Sequence, residues 1–258
     1  MKDAKKMKNK NISEAIIEAN SFLTDDVLFF LKKARRTETT PRGRRFMSFI
    51  FENIKIAEEK KEPLCQDTGM VSFYVPLAMS ALLLRSETQK AFEKLRDSQT
   101  MSPLRRKPDK RNLPVINRTD EDGGGAFIIR GGGSLNCTGL LTANPSSSEN
   151  EIISLISGFV KKMSPYCCPP VFVGVCLGGH PSDAVVQSEK ILLGDLRKKS
   201  SAMEKKIMNE INKSGIGPGG WGGRNTALCV KMSERPCHIA TLPVGITVSC
   251  WCLRKGKI

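Results

Sequence analysis

The chain changes its hydrophobic period partway along, and that change limits the folds open to it. In 12–23, "ISEAIIEANSFL", Ile12, Ile16, Ala19 and Leu23 fall on one helical face. Thr24 is placed to cap a second helix with Asp25 and Asp26 in its first turn. Thr40-Pro41 opens a third, in which Phe46, Phe49, Ile50, Ile54 and Ala57 keep helical spacing. From Met70 onward the apolar runs are short. "MVSFYV" alternates as a strand does, and "AFIIRGGGSLN" and "VFVGVCLGG" run as strands into glycines. "GIGPGGWGGRNTALCVKM" enters a strand from a glycine-rich loop, and "HIATLPVGITVSC" is another strand. "SALLLRSETQKAFEKLRDS", "ENEIISLISGFVKKM" and stretches near 184–197 and 202–212 read as helices between them. Residues 98–125 are polar, with Arg, Pro and Gly, and read as a long loop. No internal repeat and no linker is evident. The pattern predicts an α+β fold: a helical N-terminal part, then a mixed or antiparallel sheet with covering helices. A single domain over 12–258 is expected behind a basic flexible tail at 1–11.

Composition excludes some functions. No apolar run approaches the roughly 18 residues of a membrane span, so a soluble chain is expected. The start, "MKDAKKMKNK", is basic and leads into no apolar stretch, so it does not read as a secretory signal. The formal net charge is +15, which attracts anions in general. Lys and Arg are spread along the chain, aromatics are only 6% and no nucleic-acid-binding signature is present, which argues against nucleic acid as the partner. The same field would steer small carboxylates.

The nine cysteines stand at 65, 137, 167, 168, 176, 229, 237, 250 and 252. An odd count without a signal peptide points to a reducing, cytoplasmic setting rather than a disulfide framework. No pair has the C-x-x-C spacing, and two histidines leave little for a Cys/His zinc site. Cys65 is the unusual one, because "PLCQDTG" sets it beside Gln66 and Asp67. Taken alone, it reads as a core filler, a nucleophile or one leg of a metal site. Asp67 alone reads as a turn or cap residue, and His238 alone as structural. Gly131–Gly133, Gly178-Gly179 and the glycines of 215–223 lack the phosphate-loop pattern. "GIGPGG" opens into a strand rather than a helix, which removes the dinucleotide reading.

Taken in order, "PLCQDTG", "RGGGSLN", "CPP" before "VFVGVCLGG", "GIGPGGWGG" and "HIATLPVGITVSCW" resemble one family. It is the N-terminal, or alpha, part of the class I iron–sulfur hydro-lyases, which includes class I fumarases and the alpha subunit of L(+)-tartrate dehydratase. The resemblance covers about residues 12–254. It implies a 4Fe-4S cluster held by three cysteines with one iron left open, and the matching positions are Cys65, Cys168 and Cys250. Cys252 stands near enough to be mistaken for the third ligand, but the spacing from His238 favours Cys250. Cys137, Cys176 and Cys229 are then packing thiols.

The resemblance further implies substrate contacts from Gln66, Asp67, Arg105, the backbone of Gly132 and Gly133, and His238. Asp67 and His238 are the catalytic candidates, and Arg106 is an alternative register for Arg105. The reaction implied is reversible hydration of a C4 dicarboxylate, fumarate/malate first and tartrate to oxaloacetate next. A beta-type subunit is expected to complete the pocket in a hetero-oligomer. There are departures from the family pattern: Leu135 in "GGGSLN", Cys176 in "VGVCLGG", and the irregular segment 105–122. These keep a second reading in play, a diverged, non-catalytic iron–sulfur or basic interaction subunit.

Overall fold

A computed structural model describes residues 11–67, 69–98, 113–119 and 124–258. The helical start is as the periodicity predicts: α1 (Ile12–Ser21), α2 (Asp25–Thr37) and α3 (Pro41–Lys60). Thr40 Oγ1 accepts the Gly43 N–H at 3.1 Å, the cap that the Thr-Pro pair implies. There follow β1 (Met70–Pro76), α4 (Ala81–Ser98), β2 (Val115–Thr119), β3 (Ala126–Arg130) and the five-residue α5 (Gly132–Asn136). Next come β4 (Thr138–Ala143), α6 (Glu149–Met163), β5 (Val171–Gly178), α7 (Pro181–Lys190) and α8 (Ala202–Asn212). The chain ends with β6 (Ala227–Arg235), β7 (Leu242–Ser249) and β8 (Arg254–Lys257). Ser148 and Ser201 start α6 and α8 with complete capping boxes to Glu151 and Glu204. Among the described residues no helix is long and apolar enough to cross a membrane.

The expected α+β class with mixed sheets is what this chain adopts. Its contacts divide it into two compact units. Unit 1 gathers the described residues of Met1–Thr24, Asn53–Gly131 and Arg254–Ile258, and unit 2 gathers Asp25–Glu52 and Gly132–Leu253. The division falls inside α3.

Unit 1 has a sheet in the order β2-β1-β3-β8. β1 and β2 are parallel, with Ser72 opposite Val115; β1–β3 and β3–β8 are antiparallel. Ile16, Phe73, Leu84, Phe92 and Phe127 form its core with α1 and α4. Unit 2 has a sheet in the order β4-β7-β5-β6, parallel at β5–β6 and antiparallel at β5–β7 and β4–β7. Ile153, Val173, Val175, Ile207, Ile246 and Val248 form its core. Both neighbours of β5 are strands and nearly all of it is buried, which is why its sequence is a continuous apolar run rather than an alternating one. α7 lies close on that sheet: a Cβ at Gly174 would sit 1.9 Å from the Ser188 carbonyl oxygen.

Read from their parallel edges, the sheets share one pattern of strand directions, β2-β1-β3-β8 and β6-β5-β7-β4, but the fourth strand follows the other three in the chain in unit 1 and precedes them in unit 2. Each has a helical crossover between its parallel strands, α4 in unit 1 and α7 with α8 in unit 2, followed by an antiparallel third strand. The first three strands of each pattern therefore share an arrangement although no repeat is visible in sequence, since the fold asks only for an apolar inner face. In both units the loop entering the first crossover strand carries a cysteine, Cys65 before β1 and Cys168 before β5.

Three strands differ from the sequence reading. β2 lies inside the stretch read as a long loop. "VINRT" is a half-exposed edge strand whose pairing is supplied by β1, so its own composition does not announce it. β4 is likewise an edge strand. β8, "RKGK", is charged; Gly256 lets it lie over the Phe127 ring, where a Cβ would come within 2.6 Å.

Candidate functional site

Unit 1 presents Cys65 on the loop between α3 and β1. The loop is pinned just before it. The Leu64 N–H donates to the Asn20 carbonyl at 2.7 Å, and Asn53 Nδ2 donates to the Leu64 carbonyl at 3.0 Å. Cys65 and Asp67 are half-buried and Gln66 is exposed. The Asp67 N–H points at Cys65 Sγ, 3.4 Å away, and Asp67 Oδ1 accepts the Gly69 N–H at 2.9 Å, closing an Asx turn. Gly69 has φ +67°, and a Cβ there would lie 2.6 Å from the Arg130 carbonyl oxygen. A Cβ on Gly131 would lie 2.7 Å from Asp67 Oδ2, so that glycine makes room for the carboxylate.

A buried cation underlies this loop. Arg254, 2% exposed, donates from Nη1 to the Asp67 carbonyl at 3.1 Å and to Asn20 Oδ1 at 2.8 Å. Asn20 Nδ2 in turn donates to the Ile16 carbonyl at 2.8 Å. The Arg254–Asn20 pair, and buried Arg130 at the end of β3, are missed by sequence reasoning. One signal for Asn20 exists: it is a polar residue four positions after Ile16, on the apolar side of α1. Arg254 gives none, because one arginine in a basic tail looks like any other.

Unit 2 presents Cys168 and Cys250. A single turn of 3-10 helix, Ser164–Cys167, ends in Cys168, which is exposed and left-handed at φ 48°; the Pro169-Pro170 bond that follows is cis. Its neighbour Cys167 is 1% exposed. The two side chains part at this turn. Cys250 follows β7, half-buried, and its N–H donates to Ser134 Oγ at 3.2 Å. Ser134 Oγ also lies 3.4 Å from Cys167 Sγ, and Cys167 Sγ lies 3.4 Å from the Val248 carbonyl. A hydrogen bond with Cys137, burial and the nearby Cys250 together push the Cys167 thiol far above its ordinary value, so it stays protonated as a donor. Cys252 is 4% exposed, and Cys137, Cys176 and Cys229 are also buried, as expected of packing thiols.

Gly132 and Gly133 open α5, which carries Ser134, and a Cβ on Gly133 would meet the Tyr166 carbonyl at 2.9 Å. Cys250, Gly133 and the turn leading to Cys168 therefore belong to one packed group tied through Ser134. His238 does not. It sits in the exposed turn between β6 and β7, where its Nδ1 accepts the Ala240 N–H at 3.2 Å and its carbonyl accepts the Thr241 N–H at 2.9 Å. Nδ1 accepts, so Nε2 carries the ring proton. β7 separates this turn from Cys250: eight residues at roughly 3.3 Å each span on the order of 25 Å. Cys237, which the motif reading leaves unassigned, shares the turn and donates to the Thr241 carbonyl at 3.1 Å. Arg105 and Arg106 lie outside the described residues. Among the described residues no three His, Cys, Asp or Glu side chains gather to hold a single metal ion.

Comparison with known proteins agrees with the motif order. The family model described as fumarate hydratase (Fumerase) matches residues 9–258. A Methanocaldococcus jannaschii protein provisionally named L(+)-tartrate dehydratase subunit alpha is 31% identical over 95% of this chain and 94% of its own length. The L(+)-tartrate dehydratase subunit alpha of Escherichia coli strain K12 is 25% identical over 92% of this chain and 85% of its own, and that of Shigella boydii is equally similar. With nearly its whole length matched, this chain belongs to the fumarate hydratase (Fumerase) family of hydro-lyases.

Proposed function

We propose that this chain is the alpha subunit of an iron–sulfur hydro-lyase that interconverts a C4 hydroxy-dicarboxylate and its dehydrated product. Malate and fumarate are the first substrate pair. Tartrate to oxaloacetate is the second reading, favoured by the names of the relatives. The observation that carries the proposal is how the thiols are sorted. Cys65, Cys168 and Cys250 are all reachable from solvent, while Cys167 and Cys252, their close neighbours in sequence, are buried. Cys237 is exposed as well, but the length of β7 lies between its turn and Cys250, so Cys65, Cys168 and Cys250 are the three assigned to a cluster bound at three corners, since thiolate is the ligand such clusters take.

Cys65, Cys168 and Cys250 would hold the cluster. When bound, its remaining iron supplies a Lewis acid for substrate oxygen. The chain's own groups do the rest. The exposed Gln66 amide, next to Cys65, offers hydrogen bonds to a substrate carboxylate. Asp67, held by the Gly69 N–H and by Arg254 behind its carbonyl, is assigned to moving the proton of the carbon beside the carboxylate. In the dehydration direction that C–H bond breaks, the neighbouring C–O bond breaks, water leaves and the double bond forms. Arg105 is assigned to clamping the far carboxylate through paired hydrogen bonds. Gly132 and Gly133 contribute backbone N–H donors. His238 is assigned to the same pocket from a different chain than the one supplying Cys250, because the length of β7 lies between them. A beta-type subunit completes the pocket in a hetero-oligomer.

The test is anaerobic reconstitution of the chain with iron and sulfide, followed by fumarate, malate and tartrate assays with and without a beta-type partner. The proposal expects a brown protein with turnover that depends on the partner. A brown protein without turnover on any of the three acids, partner present, would favour the non-catalytic reading. A chain that remains colourless would end the iron–sulfur reading.

A further inference from the structure

Unit 2 contains a cavity of about 510 Å³ whose walls include no residue assigned to the hydro-lyase reaction. α2 forms one side, α8 the other, and the entry to β6 the floor. Phe30, Ala34, Met208 and Leu228 give it an apolar surface, and Lys33, Lys213 and Arg224 bring positive charge. Its described lining holds no aspartate or glutamate. Lys213 is ion-paired with Glu210. Lys33 and Arg224 have no ion pair and no side-chain hydrogen bond among the described residues, so two cations remain uncompensated at the rim.

The walls are already fixed. Asn212 Oδ1 accepts from the Thr226 and Ala227 N–H groups at 2.9 and 2.8 Å, and Asn225 Nδ2 donates to Glu38 at 2.8 Å. Glu38 also takes the Arg224 N–H at 3.0 Å and the Asn225 N–H at 3.1 Å. These bonds satisfy the Glu38 oxygens and anchor the backbone that carries the Arg224 guanidinium. A site whose walls need no ordering loses less on binding.

We propose that this cavity binds a small organic phosphate with an apolar or planar body, the chemistry of a mononucleotide. Arg224 and Lys33 take the phosphate, for which a guanidinium fork and an ammonium are suited donors. The Phe30–Met208 surface takes the body. The volume lies within the roughly 300–1,000 Å³ of small-molecule sites. A C4 acid, the substrate class proposed above, has no body to bury on that surface.

The experiment is calorimetric titration of the full chain with adenosine monophosphate, adenosine and inorganic phosphate. The monophosphate should bind at least about tenfold more tightly than either fragment, roughly 1.4 kcal/mol. The Lys33→Glu/Arg224→Glu variant should lose that binding with its melting temperature unchanged, and Lys33→Ala/Arg224→Ala serves if the first variant does not fold. Lys55→Glu/Lys60→Glu, an equal change of charge on α3 at residues that do not line the cavity, should bind as the parent does. Three results would overturn the proposal: no binding of the monophosphate at millimolar concentration, equal loss in both charge-reversal variants, or a fragment binding as well as the whole.

Discussion

Replacing Arg254 by Met tests whether the loop carrying Cys65 and Asp67 is held from below. The guanidinium is 2% exposed and makes two hydrogen bonds, to Asn20 Oδ1 at 2.8 Å and to the Asp67 carbonyl at 3.1 Å. Hydrogen bonds from a charged donor contribute about 1.5–3 kcal/mol each, and a buried acceptor left alone costs about 1–3 kcal/mol. Asn20 is 0% exposed, so water does not replace the lost donor. Against this, Met relieves the desolvation of a buried cation, which recovers part of the loss. The balance is a destabilisation of about 2–4 kcal/mol, a large share of an ordinary domain's stability. Asn20→Leu removes the stranded acceptor, so the Arg254→Met/Asn20→Leu double variant should cost less than the sum of the singles by about 1–2 kcal/mol. Urea unfolding of the full chain is the assay, followed by circular dichroism. Tryptophan fluorescence should shift less, because both tryptophans, Trp221 and Trp251, lie in unit 2. A cost below about 0.5 kcal/mol for Arg254→Met, or strict additivity in the cycle, would refute the reasoning.

Three further outcomes are expected. Gly131→Ala places a methyl against Asp67 Oδ2, so turnover of the partnered enzyme should fall by about tenfold or more with KM little changed; unchanged turnover would remove Asp67 from the chemistry. Burial raises the Glu38 pKa, but bonds from the Arg224, Asn225 and Thr40 N–H groups and the Asn225 side chain outweigh it and hold the carboxyl below its ordinary 4.5. Its contribution is therefore complete above that value and lost as pH falls below it. Glu38→Gln should cost about 2 kcal/mol at neutral pH and flatten the acid limb of the stability curve; an unchanged limb in acid urea titrations would contradict this. Air should abolish activity and anaerobic iron with thiol should restore it, since an iron open to substrate is open to oxidants; activity indifferent to oxygen and chelators would count against the open iron.

The parts of the fold visible in the sequence are those whose side chains carry their own instruction. α3 announces itself through Thr40-Pro41 and a run of apolar residues at helical spacing, and β5 through an uninterrupted apolar stretch. β2 and β8 carry no such instruction: each takes its hydrogen bonds from a neighbour already in place, so "VINRT" and "RKGK" look like loop and tail. The same contrast runs through the candidate site. Cys65, Gln66 and Asp67 are legible as a contiguous motif. Arg254 and Ser134, which hold that motif and Cys250 in place, are single residues far away in the chain, made relevant only by packing. The difference between Cys167 and Cys168 is also a matter of three dimensions: one 3-10 turn buries the first and exposes the second.

Cluster content in single-cysteine variants tests the central claim most directly. Each variant is reconstituted anaerobically, and iron and sulfide are counted per folded chain. The parent is expected to hold about four of each, the composition of the cluster type proposed. Cys65→Ser, Cys168→Ser and Cys250→Ser should each lose most of it, while Cys252→Ser and Cys237→Ser keep it. Retention of the full cluster by Cys250→Ser together with its loss in Cys252→Ser would contradict the assignment of the third ligand. Retention in all three of the first set would contradict the account as a whole.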